Sequence, residues 1–331
     1  TQRGALVGTS TAGFSAGGST PGGESAKMEL WNGSSWTETT DMSNARFYGM
    51  ATGNAPQTSA LVFGGFPGTT ATAATETWNG SSWTEVSDLN TARGEGGGAG
   101  TAYTEALAFA GRSPPNTKTV LTEFYDGSTW TEVADASNAR STVADAGSTA
   151  NALKIGGLEP TPATTSTEEW TTTPAADFTQ INLGQVYYNS GSNAFKVTRT
   201  VIGTGAWSSG GNLNQARSQG GNNASGGSAS IGLVSGGNSY SPGISYDNTE
   251  IYNGTAWTEV NNINTIRGYS AGAGTPAGAL VVSGYAAPSP GPAGYRANVE
   301  SFDGTNWTET TDVNVARSQG WGAGTQTSSI F

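Results

Sequence analysis

The chain of 331 residues holds 50 Gly, no Cys and no His, and its formal charge is −11, from 14 Lys and Arg against 25 Asp and Glu. These counts exclude disulfides, zinc-thiolate centres, cysteine nucleophiles and any imidazole serving as base, ligand or pH switch. The acidic pI of 4.4 argues against a nucleic-acid backbone as partner, which demands clustered Lys and Arg, and no apolar run of about 18 residues is present to insert into a membrane.

Ten Trp, eleven Tyr and ten Phe argue against disorder, because disordered segments are poor in large aromatics. Read in chain order, the sequence repeats itself. Thr1-Gln2-Arg3 matches the Ala-Arg step that opens each later copy. The first copy reads Trp31-Asn32-Gly33-Ser34-Ser35-Trp36-Thr37-Glu38, then Asp41 and Arg46. The second reads Trp78-Asn79-Gly80-Ser81-Ser82-Trp83-Thr84-Glu85, then Asp88 and Arg93; the third has Tyr125-Asp126-Gly127, Trp130 and Arg140. Later copies centre on Trp207 and Arg217, Trp257 and Arg267, and Trp307 and Arg317. In all six the Trp precedes its Arg by 10 residues, and Asp or Asn stands five residues before the Arg (Asp41, Asp88, Asp135, Asn212, Asn262, Asp312).

A period of about 47 residues suits a four-stranded propeller blade. Helical stripes are absent, and Gly and Thr are poor helix formers. Four strands are expected per copy. A Gly- and Ala-rich strand follows the Arg (near 48–52 and 268–274) and suits a crowded axis. An apolar run closing on Gly-Gly comes second, as in 60–65, 153–157, 231–237 and 280–284. The third ends on an aromatic, at Trp78, Tyr252 or Phe302, and the fourth starts at the repeated Trp. Asn-Gly and Asp-Gly between the last two predict a tight two-residue hairpin turn, which needs positive φ.

The apolar strand closed by Gly-Gly, the aromatic-Asn/Asp-Gly turn, the Trp and the Arg together resemble the kelch repeat. That resemblance covers nearly the whole chain and implies an all-β propeller occupying 1–331. Six four-stranded blades are expected, followed by a C-terminal partial repeat that Arg317 opens; seven blades with an incomplete last one is the alternative. The ends read as cut from a longer chain.

The fourth copy departs from the pattern. Residues 171–206 stand where the turn is expected, and the strand-like runs 181–188 and 194–201 predict an inserted hairpin. Gly184-Gln185-Val186-Tyr187-Tyr188-Asn189, followed by Phe195-Lys196-Val197, is similar to a short motif of bacteriophage tail-fibre and other virion-surface proteins. Tyr187, Tyr188 and Phe195 are the expected partner-docking residues if this hairpin projects from the disc.

A residue present in every copy reads as architectural. Arg46, Arg93, Arg140, Arg217, Arg267 and Arg317 are expected to hold turns through a nearby Asp or a backbone carbonyl, rather than to ring an anion. Trp36, Trp83, Trp130, Trp207, Trp257 and Trp307 are expected to pack blade against blade rather than to serve as sugar platforms. Glu38, Glu85, Glu132, Glu259 and Glu309 are expected to be solvated, since equivalent blade positions do not converge into the close carboxylate pair that glycoside hydrolysis needs. The Pro-rich loops between second and third strands differ in every copy and should share one face, which makes Phe66, Arg112, Tyr240 and Tyr285 the candidate ligand-binding residues. Galactose oxidase shares the kelch-type propeller, but its copper site uses His and a Cys-modified Tyr, both unavailable here, so no cofactor or metal is implied.

The function expected is therefore a non-catalytic structural or adhesion protein of a virus particle, extracellular on the virion surface. Its partners would be other virion proteins or a host-surface glycan. The alternatives are a carbohydrate-active propeller enzyme using Asp and Glu alone, and a cellular kelch-type adaptor.

Overall fold

The computed structural model describes residues 4–8, 11–53, 55–113, 117–159, 163–172, 186–189, 194–197, 205–218, 230–239, 244–286, 294–320 and 322–330. It is an all-β propeller of six four-stranded blades followed by a C-terminal hairpin. Blade 1 comprises Ala5–Gly8, Gly13–Ala16, Met28–Trp31 and Trp36–Glu38, and blade 2 Met50–Ala51, Ala60–Phe63, Thr75–Trp78 and Trp83–Val86. Blade 3 comprises Gly97–Ala102, Glu105–Phe109, Thr122–Tyr125 and Trp130–Glu132, and blade 4 Ala144–Gly147, Asn151–Ile155, Thr167–Thr172 and Gly205–Ser209. Blade 5 shows Gly232–Ser235, Thr249–Tyr252 and Trp257–Val260; its expected innermost strand falls at 219–229, outside the described residues. Blade 6 comprises Ala271–Thr275, Gly278–Ala286, Gly294–Phe302 and Trp307–Glu309.

The hairpin Ala323–Thr325 and Ser328–Ile330 does not extend blade 6. Its first strand lies against the innermost strands of both blade 6 and blade 1, and so occupies a seventh station in the ring. The expected partial repeat is present, and it takes a place of its own.

The apolar core lies between blades rather than within them. Phe14, Met28 and Val7 of blade 1 meet Val62 and Trp78 of blade 2, and Phe63 and Leu61 of blade 2 meet Tyr125 and Trp130 of blade 3. A lone sheet cannot bury both its faces, and radial stacking covers them. Small residues line the inner strands, as in Gly97-Gly98-Ala99-Gly100. There an added Cβ at Gly98 would sit 2.4 Å from the Ala51 carbonyl oxygen of the neighbouring blade.

The turns between third and fourth strands are longer than the two residues expected. Four residues, such as 253–256, separate Tyr252 from Trp257. The Asn253 side-chain oxygen accepts from the N–H groups of Thr255 and Ala256, both at 3.0 Å, while Gly254 takes φ 89°. The Asn caps the loop through its side chain, and the Gly supplies the left-handed residue. In blade 4, strands ending at Thr172 and starting at Gly205 still pair, with Trp170 opposite Trp207, so the intervening insertion leaves the blade intact. Within that insertion Val186–Asn189 pairs antiparallel with Ala194–Val197. The side chains of Tyr187, Tyr188 and Phe195, and Tyr240 altogether, lie outside the described residues.

Candidate functional site: the loop face and its Arg-Glu foundation

Because successive strands of a blade are antiparallel, the links between second and third strands emerge on the same face as the blade-to-blade links that carry the repeated Arg. The other two sets of links emerge on the opposite face. The first face is built on a buried ionic layer. Arg46 Nη2 donates to Glu76 Oε1 at 2.5 Å, and its Nη1 donates to the carbonyls of Gly64 at 3.2 Å and Ala74 at 2.6 Å. Glu76 also accepts the N–H groups of Ser43 and Asn44, at 2.6 and 3.2 Å. The same pairing joins Arg93 to Glu123, Arg140 to Glu168, Arg217 to Glu250 and Arg267 to Glu300, with every partner side chain at most 2% exposed.

These partners were not visible in the spacing. The expected partner, the Asp five residues back, instead accepts from the backbone at the start of the third strand: Asp88 Oδ1 from the Thr75 N–H at 3.2 Å, and Asp135 Oδ1 from that of Thr122 at 3.1 Å. The Glu stands 28 to 33 residues after its Arg, one place past that capped strand start. It was legible only as an unremarked Thr-Glu or Val-Glu in each third strand. Burial pushes the guanidinium pKa of Arg46, Arg140, Arg217 and Arg267 down, and the facing Glu pushes it back up. Each Glu is thereby committed to structure.

Blade 4 carries a variation. Opposite Glu168 on the second strand stands Lys154, where the other blades have Val62, Ala108, Val234 and Val281. Lys154 Nζ lies 2.6 Å from Glu168 and 5.5 Å from the centre of the Trp207 ring. Burial and the nearby Arg140 push its ammonium pKa down to about 8, against the pull of Glu168. On the innermost strand of the same blade, burial pushes the Asp145 carboxyl up to about 6, offset in part by the Gly98 N–H at 3.1 Å.

Trp83, Trp130, Trp207, Trp257 and Trp307 pack against the preceding blade, whereas Trp36 is 36% exposed. Trp130, Trp207, Trp257 and Trp307 each donate their indole N–H to a Thr hydroxyl on the third strand of the preceding blade, namely Thr75, Thr122, Thr167 and Thr249, at 2.9 to 3.1 Å. Glu38, Glu85, Glu132, Glu259 and Glu309 are exposed.

Above the ionic layer the backbone repeats while the side chains change. Phe66, Arg112, Leu158, Asn238 and Tyr285 occupy one register position, each bridging antiparallel to the residue that follows a repeated Arg. Three of the expected ligand residues are thus equivalent positions of successive blades, a relationship no spacing argument displayed. They differ in what they offer. Phe66 is buried, stacked on Phe47 at 5.8 Å and under the Arg112 guanidinium at 4.4 Å, so it packs rather than presents. Arg112 grips Glu95 through Nε at 2.7 Å and Nη2 at 3.0 Å, and its side chain remains 28% exposed. Tyr285 is half-buried and meets the 58%-exposed Tyr295 edge-on at 5.5 Å. Tyr295 was missed in the sequence because it lies inside a nine-residue third strand, where those of the other blades have four to six residues.

A second ring lies two residues beyond Arg46, Arg93, Arg140, Arg267 and Arg317. Tyr48, Glu95, Thr142, Tyr269 and Gln319 all take φ between 49° and 59°. Thr142 N–H donates to the Glu95 carbonyl and Glu95 N–H to that of Tyr48, at 2.7 and 3.3 Å; Gln319 N–H donates to Tyr269 at 2.7 Å. The left-handed turn costs about 1–2 kcal/mol per non-Gly residue, and an inter-blade hydrogen bond offsets it. The result is a rigid rim carrying unlike side chains.

Comparison with known proteins yields no matching family model and no matching curated protein. Among solved structures, the one titled "Structure of YjhT" is similar over 94% of this chain and 97% of its own, with a TM-score of 0.63 and 11% sequence identity. At that identity the likeness shows the propeller fold alone.

Proposed function

We propose that the protein is a non-catalytic display module of a virus particle, of kelch-like construction, whose loop face engages a host-surface glycan or a neighbouring virion protein. The observation that carries this reading is the contrast between the two layers of that face. The repeated ionisable groups are spent in buried Arg-Glu pairs. The equivalent positions above them hold Phe66, Arg112, Leu158, Asn238 and Tyr285, unlike side chains on one backbone. A scaffold held constant under varied surface chemistry suits recognition, and loops on rigid scaffolds commonly carry it. The phage-like motif at 184–197 supports placing that recognition on a virion.

The test is a glycan array, together with co-sedimentation on purified particles, for wild type and for Y285A/Y295A. Binding that is lost in the variant, with unchanged thermal melting, supports the proposal. Cleavage of a polysaccharide by the purified protein would overturn it in favour of a carbohydrate-active enzyme.

A further inference from the structure

Three Asn-Gly steps occur in the chain, and all three occupy the turn between third and fourth strands, at Asn32-Gly33, Asn79-Gly80 and Asn253-Gly254. Blades 3 and 6 carry Asp126-Gly127 and Asp303-Gly304 at the same place. The five turns share one conformation, with the Gly at φ 89° to 95°. All lie on the face opposite the variable loops.

The turn surrounds one side-chain oxygen with donors. Asn79 Oδ1 accepts the N–H groups of Ser81 at 3.0 Å and Ser82 at 2.9 Å, together with their hydroxyls at 3.0 and 3.4 Å. Ser34 and Ser35 hold Asn32 Oδ1 in the same way. Among the described residues, Asn253 Oδ1 receives only the N–H groups of Thr255 and Ala256. In blade 6 the N–H groups of Asn306 and Thr305 push the Asp303 carboxyl pKa below its ordinary value. Donors placed in this way favour negative charge on the oxygen they hold.

A nucleophile lies within the same turn. To reach N–H groups two and three residues ahead, the Asn side chain curls over the peptide in between, which carries the Gly N–H. Among the described residues, the N–H groups of Gly33, Gly80 and Gly254 have no acceptor. Gly also has no side chain to shield its nitrogen. All three Asn residues are exposed, so water reaches them.

We infer that Asn32, Asn79 and Asn253 are self-modification sites, which deamidate in the folded protein to the aspartate form that Asp126 and Asp303 already have. The Gly nitrogen attacks the Asn Cγ, and a tetrahedral oxyanion forms on Oδ1, where the donors of the turn stabilise it. The Cγ–Nδ2 bond breaks, and Nδ2 leaves as ammonia with the proton from the Gly nitrogen. A five-membered imide remains. Water then adds at Cγ and the bond from the Gly nitrogen to Cγ breaks, which returns a proton to that nitrogen and leaves a carboxyl group. Water adding at the main-chain carbonyl instead gives a β-linked isoaspartate, with one more atom in the main chain. The pairs flanking the turn, Trp78 with Trp83 and Tyr252 with Trp257, fix the span it must bridge and so favour the α-linked product. Each conversion adds one negative charge to the chain's −11, and all three together place Asp here in five of the six blades.

The test incubates the whole folded protein at mildly alkaline pH, beside the same protein unfolded in guanidinium. Ion-exchange chromatography and peptide mapping that separates Asp from isoaspartate follow both, with N79D as the standard for the product. The α-linked Asp is expected to predominate in the folded protein and isoaspartate in the unfolded chain. Asn79, with four donors, should convert faster than Asn253, with two. S81A/S82A should slow Asn79 about threefold or more for the two lost hydroxyls, while Asn253 keeps its wild-type rate. Blade 5 carries Ala256 at the position of Ser82, so this variant keeps the fold. Persistence of the amide at all three turns after the unfolded chain has converted would overturn the inference. So would isoaspartate as the main product of the folded protein, or a rate at Asn79 indifferent to S81A/S82A.

Discussion

Arg46 and Glu76 stand thirty residues apart in the chain and form a fully buried ion pair, with Nη2 and Oε1 at 2.5 Å. One lies on the link into blade 2 and the other on that blade's third strand, so the pair fastens the entry of the blade to its middle. Five blades repeat it. Breaking a buried pair strands a charge in a medium that cannot solvate it, which costs about 3–5 kcal/mol. E76A should therefore lose stability of that order in urea unfolding. R317A, whose guanidinium is exposed and has no carboxylate partner among the described residues, should change it by no more than about 0.5 kcal/mol. Equal losses in the two variants would contradict the assignment.

Trp257 and Thr167 offer a second measurement, across a blade boundary. The indole N–H donates to the Thr hydroxyl at 2.9 Å with both groups buried. W257F and T167V should each destabilise. A double-mutant cycle should return a coupling of about 1 kcal/mol, the net worth of one buried neutral hydrogen bond. Strictly additive losses would mean that the bond contributes nothing.

Ser283 points the other way. It has φ 58° where blades 2, 4 and 5 have Gly64, Gly156 and Gly236 and blade 3 has Ala110 at φ 59°, and its buried hydroxyl has no hydrogen-bond partner among the described residues. S283G removes left-handed strain and an unsatisfied group together, while adding backbone entropy to the unfolded chain. A net gain of about 1 kcal/mol is expected in thermal or denaturant unfolding, and a loss would refute the strain argument.

Lys154 governs a pH dependence. Its pKa falls from 10.5 to about 8 in the folded protein. Between those values the unfolded chain holds a proton on this residue that the native state has released. Stability from this group therefore rises with pH across that window and is lost as pH falls through about 8. K154V, which installs the residue of blades 2, 5 and 6, should be neutral or stabilising near pH 7, because Arg140 and the Ser137 N–H still hold Glu168. It should also remove the rising limb between pH 8 and 10.5 in unfolding experiments.

The repeating strands and the place of each Gly-containing turn were legible in the chain because each depends on neighbours a few positions away, while the turn's length, four residues rather than two, was not. Alternation sets which face a residue takes, and a left-handed residue followed by an aromatic marks a hairpin. The Arg was legible as architectural, with a backbone carbonyl among its expected partners, but its carboxylate partner was not. Asp41 and Asp88 lie nearer in sequence than Glu76 and Glu123, yet they bond to backbone instead.

What the amino-acid order determined by itself was the unit: four short strands, one period, one Trp and one Arg. What only the tertiary structure decided was which units meet, and there the ring rules. Closure sets Phe66, Arg112 and Tyr285 at equivalent points of one rim, brings Glu onto Arg from 28 to 33 residues away, and sets the last hairpin between the first and sixth blades. Those relationships follow from burying both faces of every sheet at once, a condition that no local stretch of sequence contains.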